Sequence, residues 1–254
     1  MYTQDHFLNI FLPVKFGKGH VFLLRINTEQ LTVSRDAGSK INYSLYSLSA
    51  PIGLQLQSKN EKWKFAGIVI PKYNSDFKDN LDYDFQLGGM ALVTRVFKPT
   101  LQVRLGAYYN KEFFGDFILP LVGLDWKVSE KFRMYGTLPS NYRFEFKLGK
   151  KMYAGLGFRS FQRSYRLQAQ YSDDLVRIRE SQVKVFFEGF VVGKILVGID
   201  FYRTIGYNLI RYDYFETKTE VKPTDANKIY NPVFAKSKDA FGLTLNLAYR
   251  IRTD

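Results

Sequence analysis

The sequence predicts an all-β chain folded as a transmembrane antiparallel up-and-down β-barrel of about 12 strands, in a range of roughly 10 to 14. Three observations carry that expectation. Apolar residues alternate with polar or small ones along most of the 254 residues, and side chains of a strand point alternately to opposite faces. Short turn signals separate the alternating runs. Helix-length amphipathic segments are hard to find between them.

In chain order, the first clean run sets Leu101, Val103, Leu105 and Ala107 against Gln102, Arg104 and Gly106. A second sets Tyr142, Phe144, Phe146 and Leu148 against Arg143, Glu145 and Lys147, and a third sets Tyr165, Leu167, Ala169 and Tyr171 against Arg166, Gln168 and Gln170. Ile195, Val197, Ile199 and Phe201 face away from Lys194, Gly198 and Asp200. The last strand is the most regular: Phe241, Leu243, Leu245, Leu247, Tyr249 and Ile251 form one apolar face, expected to meet lipid. Ser129–Lys131, Pro139–Asn141, Gly149–Lys150 and Ser172–Asp174 read as turns. No interior linker divides the chain, so residues 1–254 read as one domain.

A soluble antiparallel sandwich would also alternate, with its apolar face as core. The barrel is favoured because a ring of about a dozen strands is too wide for side chains to fill easily. Tyr108, Tyr109, Phe113, Phe114 and, further on, Tyr202, Tyr207, Tyr212, Tyr214 and Phe215 cluster near strand ends, as an interfacial aromatic girdle would. An open sheet edge in hydrocarbon leaves unpaired backbone groups, so the last strand is expected to pair with the first. No run is long and apolar enough for a membrane helix. The first residues lack the pattern of a signal peptide.

Charge is the next feature. Lys and Arg number 37 against 24 Asp and Glu, a formal net charge of +13. Arg104, Asp125, Arg133, Arg143, Glu145, Arg166, Lys184, Glu188, Lys194 and Asp200 are expected on inward faces, where they either line water or pair across strands as a plug. Mixed signs favour the plug. If the face were open, Arg104, Arg133, Arg143 and Arg166 would select small anions. The expected partners are outer-membrane lipid and lipopolysaccharide phosphates, together with other outer-membrane proteins. Bulk charge without a stacking platform gives no case for nucleic acid.

Catalysis finds little support. The chain has no cysteine and only two histidines, His6 and His20. No Gly-x-Ser-x-Gly, phosphate loop or metal-spaced cluster occurs. The expectation is therefore a non-enzymatic protein with no catalytic residue, metal or cofactor. Two connections stand out as polar: Glu216 to Asp239, expected outside the membrane as a solvated loop or docking segment, and Tyr73 to Asp84.

Several motifs resemble a known family. The segment from Gly106 through Tyr108, Tyr109 and Phe113 to Gly115, the run Leu119-Pro-Leu-Val-Gly-Leu-Asp-Trp126, Gly136-Thr-Leu-Pro139 and Tyr153-Ala-Gly-Leu156 are similar to an uncharacterised family of Bacteroidota outer-membrane β-barrels. The resemblance spans residues 60 to 251. It implies a bacterial outer-membrane location and a signal segment that this chain does not show. It implies no activity. Together these readings point to a structural or accessory subunit of an outer-membrane protein assembly, with a porin-like passive pore for small anions as the alternative.

Overall fold

A computed structural model describes residues 2–34, 42–78, 84–167, 175–214, 230–234 and 240–249. Fifteen strands make one sheet: β1 (Tyr2–Phe16), β2 (His20–Ser34), β3 (Asn42–Ser49), β4 (Ile52–Gln57), β5 (Trp63–Ser75), β6 (Phe85–Lys98), β7 (Leu101–Glu112), β8 (Gly115–Lys127), β9 (Phe132–Leu138), β10 (Asn141–Lys147), β11 (Met152–Arg166), β12 (Leu175–Val192), β13 (Ile195–Tyr214), β14 (Tyr230–Phe234) and β15 (Phe241–Tyr249). Neighbours along the chain pair antiparallel, as the alternating pattern and short turns require. β3 and β4 follow one another between β2 and β5, and β14 and β15 both pair with β13. β14 falls inside the polar connection predicted from Glu216 to Asp239; the rest of that connection, and residues 79–83 of the Tyr73–Asp84 one, lie outside the described residues.

Closure differs from expectation. The sheet does not join its last strand to its first among the described residues. Instead β11 meets β5 in a parallel pairing of Arg166 with Ser75, which closes a ring of the seven strands β5 to β11. Counted along the ladder, β1 and β15 run the same way, as β5 and β11 do, so either pair could meet only in parallel, and β5 and β11 are the pair that does. The remaining strands flank the ring on both sides.

The end of β11 turns inward because its two faces find two partners. Tyr165 and Leu167 pack with Leu31, Val33 and Leu45 from β2 and β3, and with Val176, Ile178, Tyr207 and Leu209 from β12 and β13. This is the apolar core. Tyr207, assigned above to an aromatic girdle, belongs to it. The opposite face of β11, carrying Ser164, looks into the ring.

Outside this core a few apolar side chains such as Leu121, Phe186 and Leu196 are also buried, but most of the large ones are on the surface. Leu54, Phe65, Leu87, Leu105, Ile118, Val122, Phe144, Leu156, Phe187 and Val197 are all exposed, one or two per strand, around the whole wall. On β15, Phe241, Leu243, Leu245, Leu247 and Tyr249 are between 52% and 85% exposed, while the residues between them are shielded. Ile251 lies outside the described residues. The protein is thus built inside out relative to a soluble sandwich, where such a face would be the most buried.

Candidate functional site

The inward faces carry the polar residues, and two layers of them are paired. Near the Ser75–Arg166 closure, Lys72 on β5 bonds Glu112 on β7 at 3.1 Å, both side chains being nearly inaccessible. Gln86 on β6 donates to Glu112 at 3.3 Å and to Ser164 on β11 at 3.0 Å, and Asn74 donates to Gln86 at 2.9 Å. Ser164 donates to the other side of the same carboxylate. Glu112 therefore gathers an ammonium, an amide and a hydroxyl, the full satisfaction a buried carboxylate needs. Four strands are tied by one acid.

Further along the wall lies the second layer. Arg133 on β9 grips Asp125 on β8 bidentately at 2.8 and 2.9 Å, and Arg104 on β7 approaches the same carboxylate at 3.6 Å. Tyr135 donates to Glu145 at 2.9 Å. Arg143 on β10 reaches past β11 to Glu188 on β12 at 3.0 Å, with its guanidinium 3.7 Å from the centre of the Phe186 ring. Lys184 bonds Asp200 at 2.6 Å. Glycines make room for these long side chains to lie flat: a Cβ on Gly157 would sit 2.9 Å from the Lys184 chain, and one on Gly155 would strike both the Phe144 carbonyl and the Phe186 ring.

A third cluster sits where β11 faces β1 and β2. Arg163 pairs with Glu29, and Arg159 stands over Phe161 at 4.8 Å. Between these strands and β5 is a cavity of about 350 Å³, bordered by Asn9, Asn27, Lys72, Tyr108, Arg159 and Gln162.

The structure brings eight of the ten predicted inward charges into ion pairs or hydrogen bonds with one another or with a neighbouring tyrosine: Arg104, Asp125, Arg133, Arg143, Glu145, Lys184, Glu188 and Asp200. Arg166 is buried at the ring closure, 5.9 Å from the Phe113 ring. Lys194 is a correction. It lies exposed in the turn joining β12 to β13, because β13 starts at Ile195 and the alternation does not extend back to it. The histidines stay apart: His6 bonds Gln4, and His20 Nδ1 accepts the Gln57 backbone N–H at 3.0 Å. Among the described residues no group of three His, Asp or Glu could hold a metal.

Sequence reasoning missed the Lys72–Glu112 and Arg163–Glu29 pairs. A signal existed for the first, since Lys72 and Asn74, and Asn110 and Glu112, each repeat at period two. The register of β5, β6 and β7 sets Lys72 and Glu112 on either side of Gln86, whereas Arg163 meets Glu29 only because β11 comes against β2, which no local pattern announces.

A family profile described as a domain of unknown function, DUF6268, matches residues 25–238. The chain belongs to the DUF6268 family. That assignment agrees with the expectation of an uncharacterised family, and it carries no statement of a bacterial group or of a membrane. No curated protein matches the chain.

Proposed function

We propose that this DUF6268 protein is a non-enzymatic β-barrel of a bacterial outer membrane, serving as a structural or accessory subunit of an envelope assembly. The observation that carries the reading is the exposed apolar wall, present on strand after strand from Leu54 to Leu247. Monomeric soluble proteins rarely expose contiguous apolar patches beyond a few hundred Å². Hydrocarbon removes the penalty of such a wall and demands the hydrogen-bonded ladder that lies behind it.

The inward ion pairs support a packed wall over an open channel. An anion-selective pore would draw on Arg104, Arg133 and Arg143, yet each of these faces a carboxylate at 3.6 Å or less. The apolar wall then fixes position while the loops engage a partner. Purification from native outer membrane in mild detergent, followed by mass spectrometry of the intact particle, tests this. A stoichiometric protein partner supports the subunit; recovery of the barrel alone at its own mass contradicts it.

A further inference from the structure

Six turns of the sheet, none longer than five residues, lie at one end and carry a collar of lysines, while the other end mixes the two-residue β7–β8 and β9–β10 turns with longer connections. Lys18 stands in the turn between β1 and β2, Lys62 between β4 and β5, Lys98 at the end of β6, Lys131 between β8 and β9, Lys150 between β10 and β11, and Lys194 between β12 and β13, all exposed. The only acids in these turns are Glu61 and Glu130, and Glu130 is occupied by Lys127 at 2.6 Å. The described connecting residues of the opposite end include the buried acids Asp76 and Asp84 beside the exposed base Lys78.

Both tryptophans mark the same end. Trp63 begins β5 and Trp126 nearly ends β8; each points outward and is 38% and 40% exposed, respectively. Arg95 lies 4.6 Å above the Trp63 ring. Tryptophan favours the boundary between hydrocarbon and headgroups, where its ring is apolar and its N–H is wet.

We propose that this end of the wall is a binding collar for the headgroups of anionic phospholipids, with Lys62, Lys98 and Lys131 beside the tryptophans as its densest sector. The proposal rests on the membrane reading above. Three features fit phospholipid. The lysines follow the perimeter, directly beyond the apolar wall, instead of forming one face for a protein. Ammonium groups on flexible stems are point charges suited to mobile phosphates. Short barrel turns conventionally face the periplasm, and the leaflet there is phospholipid rather than lipopolysaccharide.

The experiment uses the two tryptophans as reporters. The full chain is reconstituted in phosphatidylcholine bilayers containing brominated phosphatidylglycerol or brominated phosphatidylcholine, and quenching of Trp63 and Trp126 is titrated. The expected result is a relative binding constant for phosphatidylglycerol about threefold or more above that for phosphatidylcholine, falling towards one at high salt. The K62Q/K98Q/K131Q variant should lose the preference while brominated phosphatidylcholine still quenches it, which shows that it is folded and inserted. Equal quenching by both lipids in the natural chain overturns the proposal. Displacement of the brominated phosphatidylglycerol by lipid A but not by unlabelled phosphatidylglycerol overturns the choice of phospholipid. Absence of quenching by either lipid overturns the membrane reading itself.

Discussion

Arg166 and Ser75 are paired in parallel, and the Arg166 carbonyl also accepts the Asp76 amide at 3.2 Å. This one contact turns a long antiparallel sheet into a closed seven-stranded ring. Immediately before it on β11, Arg163 pairs with Glu29 on one side and Ser164 with Glu112 on the other. The closing strand is thus held from both faces.

The Glu112 cluster should be the most sensitive polar site in the protein. Breaking a buried pair by removing one partner costs on the order of 3–5 kcal/mol, because a charge is left without compensation. Glu112→Gln is expected to lower stability by that order through Lys72, whereas Glu130→Gln, in an exposed turn, should leave it close to unchanged. Denaturant unfolding in detergent, followed by circular dichroism, measures both.

Two glycines separate crowding from propensity. A Cβ at Gly155 would collide with the Phe144 carbonyl and the Phe186 ring, while one at Gly67 meets nothing within 4 Å. Gly155→Ala should destabilise by about 1–3 kcal/mol, the cost of overpacking. Gly67→Ala should be neutral or slightly stabilising. Equal effects would show that the inward packing around Phe186 is not as described.

The paired interior predicts electrical silence. Purified protein in a planar bilayer should show no steady conductance. Asp125→Asn removes the carboxylate that Arg104 and Arg133 share, and is expected to leave the bilayer equally silent while lowering unfolding stability. A steady, anion-selective current from the natural chain would support the pore instead.

In the turn after β8, the Lys127 ammonium holds the Glu130 carboxyl below its ordinary range, first through its hydrogen bond and then through its charge. A depressed folded value contributes stability above the ordinary carboxylate pKa, and that contribution is lost as pH falls through the depressed value. Lys127→Gln should return the Glu130 titration, followed by NMR of a labelled carboxyl, towards ordinary glutamate.

Much of the wall was legible in the sequence because alternation is a local property. Phe241 to Tyr249 and Tyr142 to Lys147 each occupy the strand and face that their period gave them. Eight of the ten charges expected on inward faces meet a charged or tyrosine partner, and their mixed sign is what lets them pair. Lys194 was misplaced because alternation gives no sharp boundary between a strand end and its turn. The closure was not legible. It depends on Tyr165 and Leu167 packing across to Leu31 and Leu45, contacts between residues far apart in the chain. Tyr207 went the same way: an aromatic near a strand end reads as girdle or core until the opposing strand is known.

The central claim is that the outward face meets hydrocarbon, and β15 tests it most directly. The chain has no cysteine, so single cysteines can be introduced and spin-labelled at Leu243, Thr244, Leu245, Asn246 and Leu247 in the reconstituted protein. Accessibility to oxygen, which concentrates in lipid, and to a water-soluble nickel chelate is then compared position by position. The account predicts high oxygen and low nickel accessibility at 243, 245 and 247, with oxygen accessibility falling at 244 and 246. High nickel accessibility at 243, 245 and 247 would place that face in water and contradict it.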